Sequence, residues 1–434
     1  MDSTQYARWF RASTPYISAH RGKTFVVLLG GDAVDNENIN GIVADLALLC
    51  VLGVRVVLVH GARPQIEANL TQRGVDSRYA GHRRITDHDA IAAVEAAAGQ
   101  VRARIEGLFT MGLPNTPLHN TRIDVLSGNL VTARPLGIID GVDHLFTGTV
   151  RHIRTRAIDR ALETGAIVLL SPFGYSPSGE AFNLSSEELA TETAIALNAD
   201  KLIVLDGQAP LQDDAGVSYT ETTPGELATL IDRLALSDVT RVRVSELLRA
   251  ARAGVTRCHL ISYAEDGALL QELFTAEGSG TQVSDNDFDH VRRATAADVA
   301  AIVELIRPLE ATGALVRRPR DRLEQEIDHF FVAELDGFLV GCCALYPFAD
   351  AAELACLAIH PRYRTEAGHG AALVKKVELE ARKGGAAYLF ALTTQARDWF
   401  VEQGFVESPV DDLPVPKQSL YNYHRNSVVM TKQL

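Results

Sequence analysis

Short, continuously apolar runs alternate with longer helical stretches from residue 24 onward, and this pattern restricts the chain to a buried parallel sheet. Thr24–Leu29 reads as a strand and Ile39–Leu52 as a helix that stops at Gly53. Val54–His60 is a second strand, followed by a helix over Gln65–Arg73. A strand with no polar side is covered on both faces, and the intervening helices provide that cover. The pattern recurs at Ala166–Leu170, Lys201–Leu205 and Cys258–Ser262, with helices at Glu187–Leu197 and Ser245–Ala253.

This α/β unit runs to residue 283. The polar, acidic stretch 284–290 reads as a linker, and a smaller α+β unit spans 291–434. Its elements are a strand at Val291–Ala294, a helix at Ala297–Leu309, and two strands, Phe331–Leu335 and Phe338–Tyr346, turned at Asp336-Gly337. A strand beginning at Glu353, a helix over Ala371–Arg382 and strands Ala387–Leu392 and Ser427–Thr431 complete it. Two domains suit 434 residues, and 47% hydrophobic content gives each a core. A net charge of −13 argues against nucleic acid as partner, because phosphate neutralisation needs clustered cations. Five cysteines, mostly inside apolar runs, fit reduced thiols in a cytoplasmic protein. No run reaches the length of a membrane span, and no His/Cys cluster has metal-ligand spacing.

Chemistry concentrates near the carboxyl end. Glu353-Leu-Ala-Cys356-Leu-Ala-Ile359-His360-Pro361 is an apolar strand headed by one acid, and Ala367-Gly368-His369-Gly370 follows at a helix start. A helix amino terminus offers unpaired N–H groups and a partial positive charge to an anion. This order resembles the acetyl-CoA site of the GNAT acetyltransferase superfamily, and the resemblance implies acyl transfer from a thioester to an amine. Glu353 is the candidate base, since partial desolvation makes a carboxylate a better proton acceptor; a solvated strand-end glutamate is the plain alternative. Thr393 ends the strand Tyr388–Leu392 and offers a hydroxyl to a departing thiolate, or else caps the helix after it. The aromatics of Trp399-Phe400-Val-Glu-Gln-Gly404-Phe405 read as core. Cys356 has no His or Lys in an activating position nearby and reads as packing rather than as a nucleophile.

The first unit resembles the amino-acid kinase family, closest to N-acetylglutamate kinases, through Phe25-Val-Val-Leu28-Leu-Gly30-Gly31-Asp32, Val57-Leu-Val-His60-Gly61, Phe182-Asn183-Leu184 and Ala199-Asp200-Lys201. The resemblance implies a three-layer αβα sandwich. It also exposes what is missing. Those kinases carry a lysine where this chain has Leu28, and Ser185-Ser186-Glu187 replaces their Asn-Ala-Asp. No counterpart of their second lysine is evident over 241–246. Phosphoryl transfer depends on charge neutralisation that a leucine cannot supply. Gly30, Gly31 and Gly61 read as tight turns that need positive φ.

Arg257-Cys-His259-Leu-Ile261, the stretch Leu269–Thr275 and Gly278-Ser-Gly280-Thr281 resemble the arginine site of arginine-sensitive relatives, and the helix around Tyr6–Ile17 resembles their additional amino-terminal helix. The resemblance assigns Tyr16, Glu272, Gly278 and Gly280 to an allosteric L-arginine site, with Glu272 holding the guanidinium. A solvated helix face is the alternative for Glu272.

Fusion of the two units, with Ile306–Arg318, Leu389–Phe405 and Tyr421–Met430, resembles the bacterial type of N-acetylglutamate synthase over nearly the whole chain. That family implies L-glutamate and acetyl-CoA as substrates, no tightly bound cofactor, L-arginine as effector, and a homo-oligomer, hexameric in relatives. By resemblance Glu353 is the base and Thr393 the acid, while Arg318, Arg425 and Ser427 hold glutamate. Cys356, Leu357, Ile359, Gly368, His369 and Gly370 meet acetyl-CoA. Relatives often carry serine at the Thr393 position, and their turn opens with Arg or Gln where this chain has Thr365, one residue after Arg364. A bifunctional synthase–kinase and a non-catalytic arginine-binding protein are the rival readings.

Overall fold

The computed structural model describes residues 3–111, 122–275, 278–284, 291–335, 338–363, 368–418 and 427–434. The chain divides into two compact units, Met1–Asp285 and Asn286–Leu434. Among the described residues no helix is long and apolar enough to cross a membrane.

The first unit is built on an eight-stranded sheet in the order Glu221–Thr222, Thr281–Val283, Arg257–Ser262, Lys201–Asp206, Thr24–Leu29, Arg55–His60, Ile167–Leu170, Val125–Leu126. Its pairings are parallel apart from Arg257–Ser262 against Thr281–Val283. Every residue of Thr24–Leu29 is buried. Phe25, Val27 and Leu29 pack into one core, Val26 and Leu28 into the core on the opposite face. Two covered faces are why this strand has no alternating polar side. A second sheet of four strands, Ala181–Asn183, Phe173–Tyr175, Val131–Pro135 and Gly148–Ile153, was not evident from apolar runs, because its strands are short and partly exposed.

The helix expected over 245–253 begins seven residues earlier and runs Asp238–Arg252, capped by Ser237, whose hydroxyl accepts from the Thr240 N–H at 3.1 Å. Gly30, Gly31 and Gly61 do not have positive φ, contrary to the turn reading. Close approach explains them instead. A Cβ on Gly30 would fall 2.0 Å from the Arg243 guanidinium, and one on Gly61 would fall 2.8 Å from the Gly31 nitrogen.

The second unit carries a seven-stranded sheet in the order Val291–Arg293, Phe330–Leu335, Phe338–Pro347, Ala351–Ile359, Tyr388–Thr393, Val428–Gln433, Val406–Ser408. Its one parallel contact joins Ala351–Ile359 to Tyr388–Thr393 and is only three pairs long, ending at Glu353 opposite Phe390. Beyond Glu353 the two strands part, and among the described residues no strand pairs with 354–358 on that side. The Asp336-Gly337 turn lies outside the described residues.

Candidate active site

In the first unit, a cleft of about 370 Å³ opens at the carboxyl ends of the central strands, lined by Gly30, Gly31, Gly61, Asn183, Asp206 and Arg243 among others. Crevices at this end of a doubly wound sheet are where ligands bind in such folds. Its charge is committed internally. Arg243 is nearly buried and meets Asp32 at 2.6 Å and Asp206 at 2.9 Å. Burial opposes the charge on both partners, but the Asp32–Arg243 pairing prevails, holding Asp32 below and Arg243 above the usual range. So the segment 241–246 sends a cation into the cleft, an arginine and not the kinases' lysine. Leu28, where the kinases have lysine, is a core residue 1% exposed. An arginine clamped by fixed carboxylates does not replace it.

The residues resembling an arginine site form a connected network. Glu272 is neither solvated nor open. Its side chain is 5% exposed; Oε1 is 2.7 Å from His259 Nδ1, and Oε2 accepts the N–H groups of Ser279 (2.7 Å) and Gly280 (2.8 Å). Burial raises the carboxyl, yet these bonds outweigh it and hold Glu272 down at about 2. Burial and the Lys201 ammonium depress His259, so the neutral ring donates Nδ1–H to Glu272 and presents Nε2 to Lys201 Nζ at 3.3 Å. Gly278 sits at φ +64, and a Cβ there would lie 2.7 Å from Glu272 Oε2. A guanidinium therefore reaches Glu272 only if this turn opens or His259 turns away. Tyr16 is buried in the same core as Leu269 and Leu273, and His20 Nε2 lies 2.8 Å from the Leu273 carbonyl, tying the amino-terminal helix Ser3–His20 to the helix Ala268–Phe274.

In the second unit, the parted strands open a cavity of about 560 Å³. Cys356, Leu357, Ile359, Gly368, Gly370 and Thr393 all line it, so the structure brings these six sequence candidates to one wall. His369 begins the helix His369–Lys383 and meets Tyr363, another lining residue, edge to face at 6.1 Å. Gly368 caps that helix at φ +118, which a residue with a Cβ adopts only under strain. Gly370 has a different reason: a Cβ would fall 2.9 Å from the Trp399 ring. Trp399 and Phe400 belong to the cavity wall as well, which corrects the reading of these aromatics as core alone; Phe405 is core.

Cys356 lies in a bulge. Its φ is +52, and the register against Phe338–Pro347 shifts between Cys342 and Ala344. Its thiol is drawn down by the Cys342 thiol, against burial, and also by the Arg318 guanidinium. Burial works against the charge of Arg318, while Cys356, Tyr346 and Glu326 sustain it. Tyr346 donates its hydroxyl to Glu326 at 2.6 Å and stands directly across from Glu353, on the same face of the sheet.

Glu353 stands one residue before the cavity wall and is 7% exposed, so the solvated alternative is excluded. Its Oε2 accepts from Lys417 Nζ at 2.7 Å, a partner that no periodicity in the Pro-containing loop disclosed. Thr393 is 8% exposed, and its Oγ1 accepts the Ala396 N–H at 2.9 Å. The helix Arg397–Glu402 is capped by Ala396 with no side-chain bond, so Thr393 closes the turn ahead of it rather than capping it; this fixes the oxygen while leaving the hydroxyl proton to be donated. Ser427 leads into the strand Val428–Gln433, whose first residue pairs with Thr393. Arg425, and the turn residues Arg364 and Thr365, lie outside the described residues.

Comparison with known proteins agrees with both units. The model for the amino acid kinase family matches residues 23–262, and that for the acetyltransferase (GNAT) domain matches 326–407. The amino-acid acetyltransferases of Azotobacter vinelandii and Pseudomonas putida are each 48% identical over 431 residues, covering 99% of this chain and of each relative. The crystal structure of N-acetylglutamate synthase from Neisseria gonorrhoeae complexed with coenzyme A and L-arginine covers 100% of both chains at 35% identity and a TM-score of 0.84. The structure of that enzyme with coenzyme A and N-acetyl-glutamate aligns over the same extent at 0.64. The parted strands, the glycine-headed helix and these full-length matches establish that the chain is an acyltransferase of the amino-acid acetyltransferase (N-acetylglutamate synthase) family, an amino acid kinase fold joined to a GNAT domain.

Proposed function

We propose that the enzyme transfers the acetyl group of acetyl-CoA to the α-amine of L-glutamate, giving N-acetyl-L-glutamate and CoA, under regulation by L-arginine. The reading is carried by one observation: Glu353 closes the parallel contact where the two strands separate, and Thr393, three residues past its partner Phe390, lines the cavity that opens beyond. The strand edge over 354–358, which no described strand pairs on that side, suits the amide groups of the pantetheine arm, which can add to it as a strand does. Gly368, His369 and Gly370 at the helix start suit the pyrophosphate.

In this reading Glu353 takes a proton from the substrate ammonium, and the freed amine attacks the thioester carbonyl. The tetrahedral adduct then collapses, breaking the carbon–sulfur bond; Thr393 gives its hydroxyl proton to the thiolate and is reprotonated by the surplus proton of the adduct nitrogen, so the amide forms and CoA leaves as the thiol. Arg318, with Arg425 and Ser427, holds glutamate. The catalytic domain is 291–434; the domain 1–283 senses arginine through Tyr16, Glu272, Gly278 and Gly280, with 284–290 as linker. In this reading the enzyme is a cytoplasmic homo-oligomer.

Thiol release from acetyl-CoA, measured with and without L-glutamate, tests the reaction. Release that depends on glutamate and changes on addition of arginine is the expected result. Release independent of glutamate would contradict the acceptor, and a Glu272→Ala variant with an unaltered arginine response would contradict the effector site.

A further inference from the structure

Resting on that reading, we propose that Lys417 determines specificity by receiving the α-carboxylate of the acceptor while Glu353 receives the proton of its α-amine. Lys417 Nζ and Glu353 Oε2 are 2.7 Å apart, with side-chain exposures of 22% and 10%. An α-amino acid carries its ammonium and carboxylate on one carbon, placing nitrogen and nearer oxygen roughly 3 Å apart. The Glu353–Lys417 pair therefore has the spacing of the substrate's zwitterion and the opposite polarity. When the substrate enters, one ion pair is exchanged for two, and no charge is left without a partner.

Proton transfer makes the carboxylate necessary. Once Glu353 has accepted the proton it is neutral and no longer balances the lysine. A bound α-carboxylate then supplies the countercharge, and an acceptor without one leaves an unbalanced ammonium at a shielded site.

The lysine is held in place by its loop. The Lys417 and Gln418 N–H groups donate to the Pro414 carbonyl at 2.7 and 3.0 Å, and Gln418 Nε2 reaches back to the Leu413 carbonyl at 2.7 Å. Leu413 is 3% exposed in a core with Phe390, the residue paired with Glu353. Tyr388 donates its hydroxyl to the Asp412 carbonyl at 3.1 Å. The loop is thus anchored to the strand that forms the other side of the opening.

The test compares full-length wild type, Lys417→Met and Lys417→Arg on L-glutamate and on its α-carboxamide, which keeps the side-chain carboxylate. Lys417→Met should lose roughly 10- to 100-fold in kcat/KM on glutamate, mainly through KM, with little change on the α-carboxamide. Lys417→Arg should restore part of the preference, and unchanged CoA binding by the variants shows the fold intact. A Lys417→Met enzyme that keeps the wild-type preference, or loses equally on both acceptors, overturns the proposal. Wild-type enzyme that acetylates no glutamate would instead sink the functional reading itself.

Discussion

His259 donates its Nδ1–H to Glu272 across 2.7 Å, and this bond joins a central strand of the first unit to the helix and glycine turn of its effector region. Glu272 ionises more readily in the folded protein than in the unfolded chain, whose ordinary value is 4.5. Its contribution is therefore fully present above 4.5 and is lost as pH falls toward about 2. His259, held below its ordinary 6.5, acts in the same sense, because unfolding allows it to take a proton. A Glu272→Gln variant should be less stable by about 3 kcal/mol at neutral pH, with the difference from wild type shrinking below pH 4.5. Urea unfolding of the two proteins across pH checks this; a difference that grows on acidification would contradict it.

Trp399 restricts the helix start from outside. Gly370→Ala places a methyl 2.9 Å from its ring, so the helix or the indole must shift at the cavity wall. Overpacking of about 1–3 kcal/mol should appear as roughly a tenfold rise in KM for acetyl-CoA, with a smaller change in kcat. Initial rates against acetyl-CoA at saturating glutamate measure both.

Thr393 uses one oxygen for two tasks, and two substitutions separate them. Serine keeps both the acceptor for the Ala396 N–H and the hydroxyl proton. Thr393→Ser should therefore retain most of its activity. Thr393→Val should lose about 1 kcal/mol of stability with the bond to the Ala396 N–H and roughly 100-fold in kcat with the proton. Thermal unfolding and turnover of the two variants distinguish these losses.

Arg243 and Leu28 define what the first unit has become. Arg243→Met leaves Asp206 buried without its cation and should destabilise the protein by about 3–5 kcal/mol. Neither the wild type nor a Leu28→Lys variant should transfer phosphate from ATP to N-acetylglutamate, because position 28 faces a packed core rather than a phosphate. Product formation in a coupled ADP assay would contradict this.

Much of this architecture was legible because buried parallel strands leave a distinctive mark. Thr24–Leu29 is apolar on both sides since it feeds two cores, and no other local structure requires that. The four-stranded sheet had no such mark: Gly148–Ile153 alternates among buried, intermediate and exposed positions and carries polar residues. At the site, Glu353, Thr393 and the glycines stood out because each type has a chemical reason to occur at a strand or helix end. Lys417 did not, since its role arises from a contact across 64 residues of sequence. Arg243 escaped notice for the same reason, being brought to Asp32 across 211 residues. The glycines of the first unit were recognised but misread: sequence shows that a side chain is absent, not which neighbour occupies its space.

The central claim is that Glu353 removes the proton from the attacking amine, and Glu353→Gln tests it with the least change in shape. Single-turnover acetyl transfer should fall roughly 100- to 10,000-fold, with CoA affinity unchanged. Residual activity should rise with pH as the substrate amine deprotonates in solution. A variant that turns over at the wild-type rate from acid to alkaline pH would contradict the account.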